Sequence, residues 1–283
     1  MPNVTIAETL ARKRRGRKVT MLTAYDYPTA KLLDEAGIDI LLVGDSLGMV
    51  VLGYDSTAPV TMEEMLHHAK AARRGVTRAL LVADMPFLSF RASVTEAVRN
   101  AARFVQEAGC EAVKIEWKPG IEETAKAIVD AGIPVMGHVG LTPQTAAAEG
   151  GFGLRGKDAA SASRILAQAV ALQEVGCFAM VLECIPDVLA EEITARLAIP
   201  TIGIGAGPSC DGQVLVTHDL LGLYDRFTPS FVKRYADLGS VIRAAAAAYI
   251  QEVQAGAFPG AAQTRTMAPE ELAKFQAGWH REP

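Results

Sequence analysis

Short apolar runs rich in Val, Ile and Leu alternate along the chain with longer stretches whose apolar positions recur every three or four residues. Runs of the first kind suit strands buried on both faces, and stretches of the second kind suit amphipathic helices. The pattern predicts strands at 19–25, 38–45, 79–85, 112–117, 134–139, 178–184, 200–204 and 213–217. Helices are predicted near 27–36, 61–74, 93–108, 121–131, 158–175 and 187–197. Thr61 with Glu64, and Ser93 with Glu96, have the spacing of capping boxes. Gly37, Gly75, Gly109, Gly132 and Gly176 each end a helical stretch, where a left-handed residue is expected. Eight strands with helices between them give an α/β fold, the (β/α)8 TIM barrel, with a doubly wound open sheet as the alternative. The barrel core spans about 19–225 of one domain covering 1–283, with a C-terminal helical extension and tail at 229–283. In the extension, 231–253 reads as one long helix with an apolar stripe through Phe231, Tyr235, Leu238, Ile242, Tyr249 and Val253.

Four of the strands deliver a carboxylate where they end: Asp45, Asp84, Glu116 and Glu183. A carboxylate at the end of a buried strand is costly unless something charged or hydrogen-bonded meets it. In a parallel barrel those ends form the catalytic rim. Asp45 and Asp84, without Cys or clustered His nearby, suit a hard cation, Mg²⁺ ahead of Zn²⁺; otherwise each caps the next loop. Lys114 and Glu116 share a face by the period of two, pointing into the barrel as a carboxylate clamp or as a salt-bridged layer. Glu183, flanked by Leu182 and Cys184, is a candidate general base, or else the partner of a rim cation. His138 ends the fifth strand and is read either as an additional site residue or as a hydrogen-bonded structural one. The run 203–207 (GIGAG) follows a strand but lacks the dinucleotide-binding pattern.

Half the residues are apolar, which excludes a disordered chain. A net charge of −4 speaks against nucleic acid as a partner, and the single basic run, Arg12 to Lys18, reads as a solvated segment. Cys110, Cys177, Cys184 and Cys210 form no CxxC pair, as expected of reduced thiols in a cytoplasmic protein. The N-terminus has no apolar segment after its charges, so no signal peptide is expected. No run approaches the ~18–20 apolar residues of a membrane span.

The chain resembles the ketopantoate hydroxymethyltransferase family in the stretches 21–30 (MLTAYDYPTA), 37–57 (GIDILLVGDSLGMVVLGYDST), 59–65 (PVTMEEM), 133–144 (IPVMGHVGLTPQ), 181–186 (VLECIP) and 199–213 (IPTIGIGAGPSCDGQ). The resemblance implies a barrel of the phosphoenolpyruvate/pyruvate type in a homo-oligomer, commonly a decamer. It implies one Mg²⁺ per subunit at Asp45, Asp84 and Glu116, the last through water. Asp45, Ser46, Asp84 and Lys114 would contact the keto acid, and Glu183 would accept the proton. The implied reaction transfers the one-carbon unit of 5,10-methylenetetrahydrofolate to 3-methyl-2-oxobutanoate through an enolate, in pantothenate biosynthesis. Two departures stand out: Trp117-Lys118 where the family usually has two glycines, and Arg155 where it has Gln. The rivals are another lyase of this barrel type, using a different acceptor, and a barrel retired from catalysis into a scaffold role.

Overall fold

The computed structural model describes residues 3–148 and 150–279. Its chain divides into two units, 1–235 and 236–283. In the first unit eight parallel strands close into a barrel in sequence order, β8 pairing with β1. They are β1 Val19–Thr23, β2 Ile40–Val43, β3 Leu80–Asp84, β4 Ala112–Glu116, β5 Val135–Gly140, β6 Ala179–Glu183, β7 Thr201–Ile204 and β8 Gly212–Leu215. The helices of this unit are α1 Ile6–Arg14, α2 Tyr27–Glu35, α3 Leu47–Val50, α4 Met62–Arg73, α5 Val94–Ala108, α6 Ile121–Asp130, α7 Ala159–Glu174, α8 Asp187–Arg196 and α9 Thr217–Leu220. The closed barrel replaces the open sheet as the fold, and all eight expected strands are present.

Alternation along each strand divides the core in two. One set of side chains, including Leu41, Leu81, Val113 and Leu182, packs outward against the helices. The other set, including Met21, Ile40, Leu42, Leu80, Val82, Ala112, Met136 and Val181, fills the interior. That inner set is apolar at the level where the strands begin. Its continuation toward their C-terminal ends is Asp84, Lys114, Glu116 and His138, all buried. A dry floor under a charged ceiling is how such a barrel stays packed while presenting chemistry at one end.

The helix starts follow the local sequence. Thr61 and Glu64 bond reciprocally across the first turn of α4, and Ser93 accepts from the Glu96 N–H at the start of α5. Gly37, Gly109, Gly132 and Gly176 take positive φ. Gly75 does not: a Cβ there would stand 2.5 Å from the Tyr27 carbonyl oxygen and 2.7 Å from the Lys31 nitrogen, so close helix packing requires the glycine.

Two expectations are corrected. The basic run is not merely solvated, because Thr5 caps α1 and aims part of it under the barrel. Arg12 is buried 2.5 Å from Asp39, and the Lys13 Nζ lies 2.7 Å from Asp211. Among the described residues no helix is long and apolar enough to cross a membrane, as expected. The long C-terminal helix begins at Leu238 rather than at Phe231, because Asp237 accepts the Ser240 N–H and fixes the start there. This α10, Leu238–Gln254, and α11, Pro269–Trp279, belong to the second unit.

Candidate active site

Register places the site. Asp84, the last residue of β3, lies level with Lys114, two residues below the end of β4. Glu116, at the end of β4, lies level with His138, two residues below the end of β5. Gly140, the last residue of β5, lies level with Glu183 at the end of β6. The strand-end residues therefore climb around the rim and face one cavity, as barrel stagger requires. That cavity is lined by Asp45, Ser46, Asp84, Lys114, Glu116, His138 and Glu183 and encloses about 1040 Å³ out to its open mouth. Every residue expected at the site is brought to it.

The contacts within it are close. The Lys114 Nζ sits 2.5 Å from Asp84 Oδ1 and 3.3 Å from His138 Nδ1. The Asp45 N–H donates to Asp84 Oδ2 at 3.1 Å, which locks the two aspartates to the same point. Tyr25, in the loop after β1, shares a 2.8 Å hydroxyl bond with Ser46. His138 Nε2 stands 3.2 Å from Glu183 Oε2 but off the line of a hydrogen bond, leaving an electrostatic and steric contact. Glu183 is held by its neighbours, since the Leu141 N–H donates to its backbone carbonyl at 2.8 Å. A Cβ on Gly140, whose φ is +98°, would collide with that same carbonyl, so the residue beside the candidate base has to be glycine.

Three further contributors were not legible in the chain. The Gln144 side-chain amide donates to Asp45 Oδ2 and to the Met85 carbonyl, both at 2.9 Å, while its backbone N–H donates to Glu116 at 3.2 Å. Arg91, on the loop before α5, stands 3.6 Å from Glu116. Asp219, on α9, lines the same cavity from the β8 side. A loop glutamine or arginine far away in sequence carries no local mark of such a partner; only the placing of Gln144 in a matching stretch touched any of them. Trp117 and Lys118 line a second cleft, of about 850 Å³ to its mouth, with Arg91 and Arg155.

Burial, and then the nearby Asp84, push the Asp45 carboxyl up to about 7, against the pull of Lys114 and Gln144. Burial, and then Asp45, push Glu116 well above the usual carboxylate range. Burial alone would lower the Lys114 ammonium, but Asp84, Glu116 and Asp45 outweigh it and raise it. Burial and Lys114 lower His138, which favours its neutral imidazole. Four carboxylates thus face Lys114 and Arg91. The surplus negative charge fits a hard divalent cation. A lining of carboxylates without cysteine suits an ion that takes one or two carboxylates and keeps water and substrate at its other positions, as Mg²⁺ does.

The raised groups carry a signed consequence for stability. Between the ordinary carboxylate range and neutrality, folded Asp45 holds a proton that the unfolded chain releases, and Glu116 is shifted in the same direction. The contribution of Asp45 to stability therefore falls as pH rises from about 4 to about 7, and that of Glu116 falls as pH rises above the ordinary carboxylate range. Asp45→Asn removes one of the two. In ion-free buffer it is expected to lose less stability than the wild type between about pH 5 and about pH 8, by roughly 1–4 kcal/mol. Urea midpoints at the two pH values read the difference, and an equal loss in both proteins refutes the shifted Asp45.

A closed barrel of eight parallel strands with helices between them, carrying acids and a lysine at its C-terminal rim, is a (β/α)8 TIM barrel with the site where such enzymes keep theirs. The barrel of a 2,3-dimethylmalate lyase, a PEP mutase/isocitrate lyase superfamily member, aligns with TM-score 0.58 at 16% identity, over 99% of this chain and 100% of its own. A phosphonopyruvate hydrolase, solved in complex with oxalate and Mg²⁺, aligns with TM-score 0.60 at 13% identity, over 99% and 96%. Within that architecture the chain belongs to the ketopantoate hydroxymethyltransferase family, an enzyme family whose model matches residues 3–261. The 3-methyl-2-oxobutanoate hydroxymethyltransferase of Carboxydothermus hydrogenoformans is 56% identical over 97% of this chain and all of its own length. The enzyme of the same name from Syntrophus aciditrophicus is 60% identical over 87% and 91%.

Proposed function

We propose that this enzyme transfers the one-carbon unit of 5,10-methylenetetrahydrofolate to 3-methyl-2-oxobutanoate, giving 2-dehydropantoate in the first committed step of pantothenate biosynthesis. The observation that carries the chemistry is the register, which faces the Asp84–Lys114 pair and Asp45 toward Glu183 across one cavity. Lys114 draws the keto acid's carboxylate as a point charge, and Ser46, tethered to Tyr25, offers a hydroxyl beside it. Glu183 takes the proton from C3, and His138 packs beside it at 3.2 Å. The C3 carbon then bonds to the folate's methylene carbon, and one water supplies the hydroxyl oxygen as tetrahydrofolate leaves.

Asp45 and Asp84, with Glu116 through water, would hold one Mg²⁺ per subunit, and that ion's Lewis acidity would stabilise negative charge on the keto acid's oxygens. The homology to enzymes named 3-methyl-2-oxobutanoate hydroxymethyltransferase supports the acceptor and the hydroxymethyl transfer. A homo-oligomeric, decameric assembly in the cytoplasm belongs to the same reading.

Deuterium exchange at C3 of the keto acid tests the proposal. In D₂O with Mg²⁺ and no folate, exchange is expected and is lost on chelation, and product is expected once methylenetetrahydrofolate is added. Absence of exchange in the presence of Mg²⁺ refutes the proton-abstraction chemistry. Exchange without any folate-dependent product points instead to a lyase with another acceptor.

A further inference from the structure

The acid cluster occupies the β2 to β6 side of the cavity, and a five-carbon keto acid needs no more than that side. The cavity continues toward β8, where its lining changes to Met49, Val50, Phe152, Tyr224, Phe227 and Phe231. Phe152 is 56% exposed and Phe227 61% exposed, an arrangement that leaves large apolar faces toward solvent at the mouth. The same cavity is lined by Asp219, only 8% exposed. Its Oδ1 is shielded from solvent and has no hydrogen-bond partner among the described residues. Arg234 acts on it electrostatically, against the effect of its burial. A buried carboxylate oxygen without a donor is destabilising, and Asp219 has no part in the proton transfer assigned to Glu183.

An aromatic lining beside an unpaired carboxylate fits a planar heterocycle with adjacent N–H donors on one edge. The 2-amino-4-oxopteridine ring of a folate has such an edge, in its N3–H and its 2-amino group. Charge-assisted bonds from those two donors would satisfy both oxygens of one carboxylate. The terminal torsion of an aspartate is soft, so its carboxylate can reorient toward two donors.

We propose that Asp219 is the carboxylate that binds the aminopyrimidine edge of the folate donor, with the aromatic residues at the cavity mouth stacking on its rings. This rests on the proposed function. It puts the keto acid and the pterin on opposite sides of one cavity, with the reactive methylene carbon between them.

The test is a cycle between protein and ligand. Asp219→Asn keeps the shape but removes the charge and one acceptor. Its KM for methylenetetrahydrofolate is expected to rise about 10- to 100-fold. Its keto acid affinity and C3 exchange should stay at wild-type values, which also reports that the variant is folded. The wild type should bind 2-desamino-2-methyltetrahydrofolate correspondingly more weakly than tetrahydrofolate, and Asp219→Asn should barely distinguish the two. A wild-type folate KM in Asp219→Asn, or an equal penalty for the analogue in both proteins, overturns the assignment. A wild-type enzyme that exchanges C3 but neither binds tetrahydrofolate nor uses its methylene derivative overturns the donor itself, and this inference with it.

Discussion

Glu183→Gln is expected to bind the keto acid as the wild type does while losing C3 deuterium exchange by about 10²–10⁴-fold. The substitution keeps the shape of the side chain, and Gln can still rest against His138, which lies 3.2 Å from the native carboxylate. What it loses is the ability to accept a proton. Binding should survive because the groups expected to hold the substrate, Lys114 and Ser46, sit on other segments with their own partners, Asp84 and Tyr25. Exchange followed by NMR, alongside calorimetric titration with the keto acid, separates the two effects. Unimpaired exchange removes Glu183 from the base role; lost binding with lost exchange makes it a binding residue instead.

Asp84→Ala should be the most damaging single change at the rim, because Asp84 serves three neighbours. It pairs with Lys114 at 2.5 Å, accepts the Asp45 N–H, and is one of the two carboxylates expected to hold the ion. Removing one partner of a buried ion pair leaves the other charge uncompensated, at a cost of roughly 3–5 kcal/mol. The variant is expected to unfold at lower denaturant and to lose its Mg²⁺-dependent activity. A double variant, Asp84→Ala with Lys114→Met, should recover stability but not activity, because the stranded ammonium is gone while the ligand is still missing. Wild-type metal titration in Asp84→Ala refutes the ligand assignment, and failure of the double variant to regain stability refutes the buried-charge account.

Much of the site could be read because it depends on positions along single strands. A carboxylate at the end of an apolar run is visible without any neighbour, and Asp45, Asp84, Glu116 and Glu183 all announce themselves in this way. Lys114 and Glu116 follow from the period of two. Gln144 does not, because its claim on Asp45 spans 99 positions of chain and exists only once β5 is stacked beyond β4. Arg12 is hidden for the same reason: a cation in a basic run looks solvated until the helix carrying it meets Asp39. Asp219, on a four-residue helix after β8, has no strand pattern to mark it.

The order of strands and helices, the inward or outward sense of each strand residue, and the acids at the strand ends were determined by the chain alone, because each depends on residues a few positions apart. Tertiary structure decided which of those residues meet. Barrel closure sets the stagger between neighbouring strands, and that stagger puts Asp84 against Lys114, Glu116 against His138 and Gly140 against Glu183. No local preference encodes those pairings, since sliding one strand by two residues keeps every side chain on its face and changes every partner.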